Sequence, residues 1–538
     1  MMNSRQRGTA LLVAGCFFME MLDGTIVSTA APRIAGDLHT TPASVGLIIT
    51  AYLVTLAVLV PLSGWLTARF GPRRVFLAAI TVFTLASLGC AVAPGLGVLV
   101  ATRVLQGAGG AMMVPVGRLV VVSGIAKQDL PRAVAYIVWP GLAAPVVAPL
   151  LGGVITTYAS WHWIFLLNVP LGVVALLVAR RLIAPGTPGG APPLDVPGML
   201  LAGTGLAALT WTAHLVAETG AGPAGAAVSG AVAVVALAAA VRHLLRAPRP
   251  LVNLRTLDVP SFRVAALDGA VSMAVVSAVP FLLPLLFQEV FGWSAVKSGA
   301  VVLFVFAGNI GVKPATTYLI NRFGFRPLLL VSTLGLAVTT AACALFTAAT
   351  PVAVIAVVAA AGGVVRSVGL SGYATIAFSE TGEERMRDAN ALFATSHQLA
   401  AGLGVAVATV ALRGGAALTG GGRPAYAVAF GLLGALCLLP AAGALRLHPS
   451  AGDAARTLAP RTAADTGAPG VAREAAPGVG REAAPGEARE AASEAAPGAA
   501  PGEAREAASG AAPGEASTVV PGGSGVTRST VSDSRKSE

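Results

Sequence analysis

The sequence predicts an all-α membrane protein with fourteen spanning helices, arranged as two six-helix bundles with two linker helices inserted between them. Three observations lead there. The 538 residues are 55% hydrophobic and only 11% charged, with a mean hydropathy of +0.76, whereas a soluble domain carries about 25% charged residues. Apolar runs long enough to cross a bilayer, about 20 residues each, recur along the chain. The Lys and Arg residues between those runs alternate: with the N-terminus inside, eighteen fall in inner loops, and only Arg33, Lys297, Arg413 and Arg423 fall in outer ones. Short loops rich in Lys and Arg stay in the cytoplasm, so the alternation fixes both the count and the orientation. The formal charge of +11 then reflects membrane orientation, not nucleic-acid binding.

The first six spans lie near 10–31, 46–67, 74–94, 97–123, 133–157 and 163–183. Two more follow near 196–216 and 223–244. A second six lie near 262–288, 296–320, 327–349, 352–378, 389–412 and 424–446. The N-terminus mimics a secretory signal, but Glu20 and Asp23 just behind its apolar core, and the many later spans, argue against that reading. Arg69-Phe70-Gly71-Pro72-Arg73 recurs 253 residues later as Arg322-Phe323-Gly324-Phe325-Arg326, each copy after the second helix of a six-helix set. Parallel six-helix repeats are a transporter plan. The expected partition is a cytoplasmic N-terminus at 1–9, a bundle at 10–183, a linker with two helices at 184–258, a bundle at 259–446, and a tail at 447–538. The tail has no aromatic residue and repeats an REAAPG-like unit. Such a segment cannot bury enough apolar surface to offset its ordering entropy, and it is expected to be a disordered cytoplasmic extension.

The first span carries the main chemistry. Glu20 and Asp23 are three residues apart, so they lie on one helix face. Each acid at a helix centre costs about 2.5–3.5 kcal/mol on insertion scales. Acids retained there suit a site that binds and releases protons. Arg103, inside the fourth span, cannot readily lose its proton and needs a partner, for which Asp23 and Glu20 are the topological candidates. The fifth span, PGLAAPVVAPLLGG, carries Pro140, Pro145 and Pro149 with Gly141, Gly152 and Gly153, a pattern for bending and close packing. His214, Asp268, Lys313, Arg366 and His397 are further polar residues within spans that could line a cavity. Tyr52, Trp139, Phe281, Phe287 and Phe306 could stack on a substrate, and Trp161 and Trp163 read as an interfacial belt. Cys16, Cys90, Cys343 and Cys437 all lie in apolar runs, with no CxxC or Cys/His cluster, so neither a disulfide framework nor a metal site is expected. Gly220 to Gly225 matches GxGxxG, but no strand precedes it. The chain has no GxxxxGK[ST], so no nucleotide-driven step is expected from it, and no cofactor other than an ion gradient.

These residues resemble a known family. LDGTIVSTAAP at 22–32 resembles the first-helix signature of the fourteen-helix drug:proton antiporters, the EmrB/QacA-like branch of the major facilitator superfamily. GWLTARFGPRR at 64–74 is similar to the superfamily's loop motif, RVLQGAGGA at 103–111 to its fourth-helix motif, and APLLGG at 148–153 to the fifth-helix motif of antiporters. WHWIFLLNVPLG at 161–172 is similar to a pattern of this branch. GGAMMVPVGRL and ASWHWIF are most similar to MdtD-like members. The resemblance implies the major facilitator fold, alternating access, and proton influx driving efflux of drugs or other amphipathic, often cationic, small molecules. By that resemblance Asp23 is the proton site and Arg103 tunes it; Glu20, about one turn outside the motif, is a proton-coupling candidate from its spacing alone. By the same resemblance Gly64, Arg69, Gly71, Arg73 and Arg74 form a cytoplasmic latch, and Pro149, Gly152 and Gly153 seal the halves, with Pro145 on the same helix. Three positions depart from the family pattern: Ala68 replaces the loop-motif Asp, Ser28 an Asn, and Ala148-Pro149 a Gly-Pro. The expectation is a non-enzymatic, monomeric, proton-coupled exporter in the plasma membrane with both termini cytoplasmic. A narrow-substrate natural-product exporter, a solute uniporter or importer, and a transport-dead scaffold are the alternatives.

Overall fold

The computed structural model describes residues 4–123, 130–184, 190, 193–217 and 223–452. These residues are helical, with no strand among them. Counting each pair bent at a short break as one span, they form fourteen: α1 (Ser4–Asp37), α2 (Pro42–Leu59 with Leu62–Phe70), α3 (Pro72–Ala91), α4 (Leu96–Ser123), α5 (Leu130–Tyr158), α6 (His162–Leu166 with Asn168–Leu182), α7 (Val196–Ala217), α8 (Pro223–Arg246), α9 (Pro260–Leu285), α10 (Ala295–Gly311 with Lys313–Phe323), α11 (Phe325–Ala342), α12 (Val352–Ser379), α13 (Met386–Thr419) and α14 (Gly422–Leu436 with Leu438–Arg446). The expected tail lies outside the described residues from 453 onward. Its first six residues do not behave as a free tail: Leu447 is buried and the Gly452 N–H donates to Glu380.

Two spans expected to be straight are broken. α2 bends by 57° before Leu62, and α10 by 51° before Lys313. Proline supplies the cause, because Pro61 and Pro314 bring no backbone donor to the helix ladder. Both are 253 residues apart, the offset of the Arg-Phe-Gly repeat. The turns that follow also match: Gly71 (φ 83°) and Gly324 (φ 79°) both take the left-handed conformation that disfavours any side chain. The internal repeat is therefore a backbone repeat of bend, short helix and glycine turn.

An even number of crossings puts residue 4 and residue 452 on one face, called here the terminal face. Two seams join the halves, α5 against α10 and α2 against α13. Toward the opposite face a single apolar core runs through both halves, including Ile26, Ile34, Val45 and Phe165 from the first and Phe281, Val302, Val405 and Phe430 from the second. Toward the terminal face there are two separate cores. One holds Val13, Met19, Phe76, Phe83 and Met113; the other holds Phe262, Phe325, Leu329, Tyr373 and Ile376. The halves are thus sealed on the opposite face and parted on the terminal face.

The seal is made by glycines. A side chain on Gly153 in α5 would collide with the Ala295 carbonyl of α10, and one on Gly299 in α10 with the Pro149 carbonyl of α5. Close backbone approach of this kind is how membrane helices associate without a hydrophobic drive. The Gln288 amide adds a cross-half hydrogen bond to the Thr29 carbonyl at 3.0 Å.

The linker helices α7 and α8 pack on each other, and α7 also lies on α2 and α13. Asp195 fastens them. It accepts from the Gly198 N–H (2.9 Å) at the start of α7, from His243 Nε2 (2.7 Å) near the end of α8, and from the Leu251 N–H (3.0 Å) beyond it. Burial pushes this carboxyl up, but the two backbone donors and His243 outweigh it and hold it below the usual carboxylate range.

The expected aromatic belt is half right in position. Trp163 is exposed, but Trp161 is buried, and its indole donates to Asp37 at 2.8 Å. A core hydrogen bond, not the lipid interface, accounts for it.

Candidate functional site

Five helices of the first half converge on Asp23. Its helix, α1, lies between α5, α2, α4 and α6, which places the carboxylate in the bundle's interior. Oδ2 accepts from Arg103 Nη1 of α4, with neither side chain exposed. Oδ1 accepts from Gln106 Nε2 (3.0 Å) of α4 and Asn168 Nδ2 (2.8 Å) of α6. Ser87 of α3 accepts from the same two amides at 2.5 and 3.1 Å. Arg103 also donates to Gln106 Oε1 (2.7 Å) and toward the Ile48 carbonyl, and its guanidinium lies 4.1 Å from the centre of the Tyr52 ring of α2. Arg103 and Gln106 share a face because they are three residues apart. A buried ion pair needs its remaining donors and acceptors met; the amides of Gln106 and Asn168 do that for the carboxylate, while Arg103 Nη2 is buried without a hydrogen-bond partner. Gln106, Asn168 and Ser87 carry no charge and so gave no signal of their own, although Gln106 and Asn168 sit inside stretches singled out by their motifs.

Glu20 has a different setting. It lines a cavity of about 200 Å³ between the halves. Thr25, Ser28, Tyr52 and Pro145 join it from the first half, and Met273, Ser277, Phe281, Phe306, Arg366 and Gln398 from the second. Its Oε2 has no hydrogen-bond partner. The charge of Arg118 on α4 reaches it, and Arg118 itself lies 5.3 Å from the Phe17 ring centre. Asp23 is not part of the cavity wall. The two acids that spacing put on one helix face therefore divide: one is locked inside the bundle, the other faces the cleft.

The other sequence-derived residues fall at the edges of this arrangement. Gly71 forms the left-handed turn already described. Arg73 donates to the Arg180 carbonyl at 3.0 Å, capping the end of α6. Arg69 and Arg74 are exposed and make no hydrogen bond or ion pair among the described residues, Gly64 is exposed with open space beside it, and Ala68 is half-buried. Pro149 and Gly153 sit in the α5–α10 seal, and Gly152 packs on the Ile26 carbonyl of α1. Pro145 reaches the cavity. Phe281 and Phe306 also reach it, Phe287 stacks on Trp293 away from it (4.8 Å), and Trp139 is exposed. Lys313 does not snorkel; its Nζ donates to Ser371 at 2.9 Å. His397 bonds Phe393's carbonyl through Nδ1 and leaves Nε2 without a partner. Among the described residues no group of three or more His, Cys, Asp or Glu side chains is placed to hold a metal ion.

Two six-helix bundles around a central cavity, parted on one face, define a membrane transporter. The chain belongs to the Major Facilitator Superfamily, whose profile matches residues 13–405, and within it the chain is MdtD-like. It is 36% identical over 413 residues to a relative named as a multidrug resistance protein, MdtD, of Pectobacterium carotovorum subsp. carotovorum, covering 77% of this chain and 88% of that one. A relative of the same name in Cronobacter sakazakii is 37% identical over 404 residues (74% and 85% covered). A third, in Salmonella paratyphi A, is 39% identical over 329 residues (61% and 69%). The crystal structure of a D-xylose-proton symporter superposes with a TM-score of 0.59 at 14% identity, covering 83% of this chain and 98% of that chain; it shares the fold.

Proposed function

We propose that the protein is a proton-coupled antiporter that exports amphipathic small molecules across the plasma membrane. The terminal face is cytoplasmic in this reading, supported by the Lys and Arg bias of its loops. The observation that carries the proposal is the buried Asp23–Arg103 pair, set in the bundle one helix turn from the cavity-lining Glu20. A carboxylate whose negative charge holds a bundle together is a natural trigger. Protonation removes the charge that Arg103 requires and favours a different packing of α1, α2 and α4, of which α1 and α2 line the cavity. Substrate enters from the parted terminal face, and the pair re-forms after proton release toward the cytoplasm. The relatives' names supply the substrate class, multidrug resistance.

The test uses inverted vesicles that hold a pH gradient read by a quenched amine dye. Substrate-dependent dissipation in the wild type and its absence in Asp23→Asn support the reading. Flux that persists without a gradient makes the protein a uniporter. Dissipation unchanged in Asp23→Asn but lost in Glu20→Gln keeps antiport and moves the proton site to the cavity wall.

A further inference from the structure

Among the described residues Arg366 forms no ion pair. It lies in the middle of α12, thirteen residues from one end and fourteen from the other, or about 20 Å at 1.5 Å per residue, so its side chain cannot snorkel to either interface. Its Nε and Nη1 are shut off from solvent and have no hydrogen-bond partner. The ring centre of Phe306 lies 5.1 Å from its guanidinium. Four acids of the second half are placed elsewhere. Glu289 accepts from Tyr426, Glu380 from Gly452, and Asp388 from Asn253, and Asp268 lines a terminal-face hollow with Arg446. Lys313, near enough for its charge to meet that of Arg366, adds to the positive field. Arg366 also lines the central cavity, and the only acid in that lining, Glu20, belongs to the other half. The cavity thus has one acidic wall and one basic wall, with Ile49, Val276, Phe281 and Phe306 between them.

A guanidinium with Nε and Nη1 enclosed and unmet, on a half-buried side chain that lines the cavity, is a costly arrangement. It is also a ready receptor for a planar oxyanion, which it can bind through paired N–H donors. We propose that Arg366 is the anion-recognition point of the cavity, and that the compounds carried include amphipathic zwitterions that place a carboxylate on Arg366 and an ammonium toward Glu20. This rests on the reading of the cavity as the transport site, and it narrows the substrate from any amphipathic molecule to one bearing an acid group.

Binding at equilibrium tests it without any need for transport or a proton gradient. Nε-dansyl-lysine and dansylcadaverine share the dansyl ring, the five-carbon chain and the ammonium; only the first has a carboxylate. Each is titrated against the purified full chain in lipid nanodiscs, read by dansyl anisotropy. The wild type is expected to bind dansyl-lysine about tenfold tighter, the discrimination expected of about 1.4 kcal/mol. In Arg366→Gln the ratio of the two affinities falls to about one, and in Arg366→Lys it takes an intermediate value. Equal affinities in the wild type, or no binding of dansyl-lysine, overturn the proposal, and that comparison decides even if Arg366→Gln does not fold. A ratio that survives in a folded Arg366→Gln also overturns it. Failure of antiport in the vesicle assay with the binding ratio intact would reject the coupling and keep the anion site.

Discussion

Asp23→Asn is the substitution with the largest consequence for stability, and the structure gives its size. The carboxylate accepts from Arg103, Gln106 and Asn168. An amide in its place can still accept from Gln106 and Asn168 through its oxygen, but its NH₂ then faces Arg103 Nη1, donor against donor. The guanidinium is left charged and fully enclosed. Removing one partner of a buried pair costs about 3–5 kcal/mol. Arg103→Gln, the converse change, strands the carboxylate at a similar cost. If the two effects were independent, the double variant would lose about 6–10 kcal/mol, most of a typical domain's stability. Because they share one interaction, the double variant leaves a neutral amide network and is expected to lose no more than either single one. The measurement is SDS-driven unfolding in dodecylmaltoside mixed micelles, with midpoints compared across the four proteins of the cycle. A double variant as unstable as the sum of the singles would refute the pair as the organiser of the first bundle. So would an Asp23→Asn variant within about 1 kcal/mol of wild type, the size of an ordinary hydrogen bond.

Three further expectations follow from the same geometry. Glu20→Gln should leave the unfolding midpoint nearly unchanged, since Oε2 has no hydrogen bond to lose, while export of a cationic dye falls at least tenfold; a midpoint as low as that of Asp23→Asn would contradict the division of the two acids. Gly153→Val overpacks the α5–α10 seal by about 1–3 kcal/mol, a bias of about 5–160-fold toward a form parted on the opposite face. An impermeant maleimide added on that face should then label Ser28→Cys faster, against a low background because the four native cysteines are buried; an unchanged rate would show that the seal does not limit opening. Asp195→Ala removes a helix cap worth about 0.5–2 kcal/mol and should raise hydrogen exchange at the start of α7. Because the Asp195 carboxyl is held below its ordinary value, its contribution is present above the unfolded value of about 3.9 and disappears as pH falls through the folded one. The protection factor at Gly198, exchange relative to the intrinsic rate at each pH, should therefore fall on acidification in the wild type and stay flat with pH in the variant.

Much of this architecture was legible because a bilayer imposes simple rules. Span length, loop charge and a 253-residue repeat were enough for fourteen helices in a six, two, six order. The bends at Pro61 and Pro314 were also written there, as prolines at the same offset, but an apolar run with one proline reads equally well as a straight helix. Asp23 and Arg103 stood out because charge in a membrane is expensive. Gln106, Asn168 and Ser87 did not, because an amide or hydroxyl costs little to insert and reveals its role only when three helices bring it to one carboxylate. The separation of Glu20 from Asp23 was hidden for a different reason. Helical spacing places two residues on one face, but neighbouring helices decide how that face is divided between core and cavity. Arg366 was visible as an intramembrane charge. That four acids of its own bundle, Glu289, Glu380, Asp388 and Asp268, are placed elsewhere required the structure.

The seal between Gly153 and Gly299 also limits how this transporter can evolve. Any single-base change in a glycine codon that yields another amino acid adds a Cβ, and at these two positions there is no space for even that atom. The seal has no small mutational step away from its present form. The cavity wall is different, because Met273, Val276, Phe281 and Phe306 each have neighbouring amino acids of graded size. Selection for new cargo should therefore collect its substitutions around the cavity and leave the two glycines unchanged.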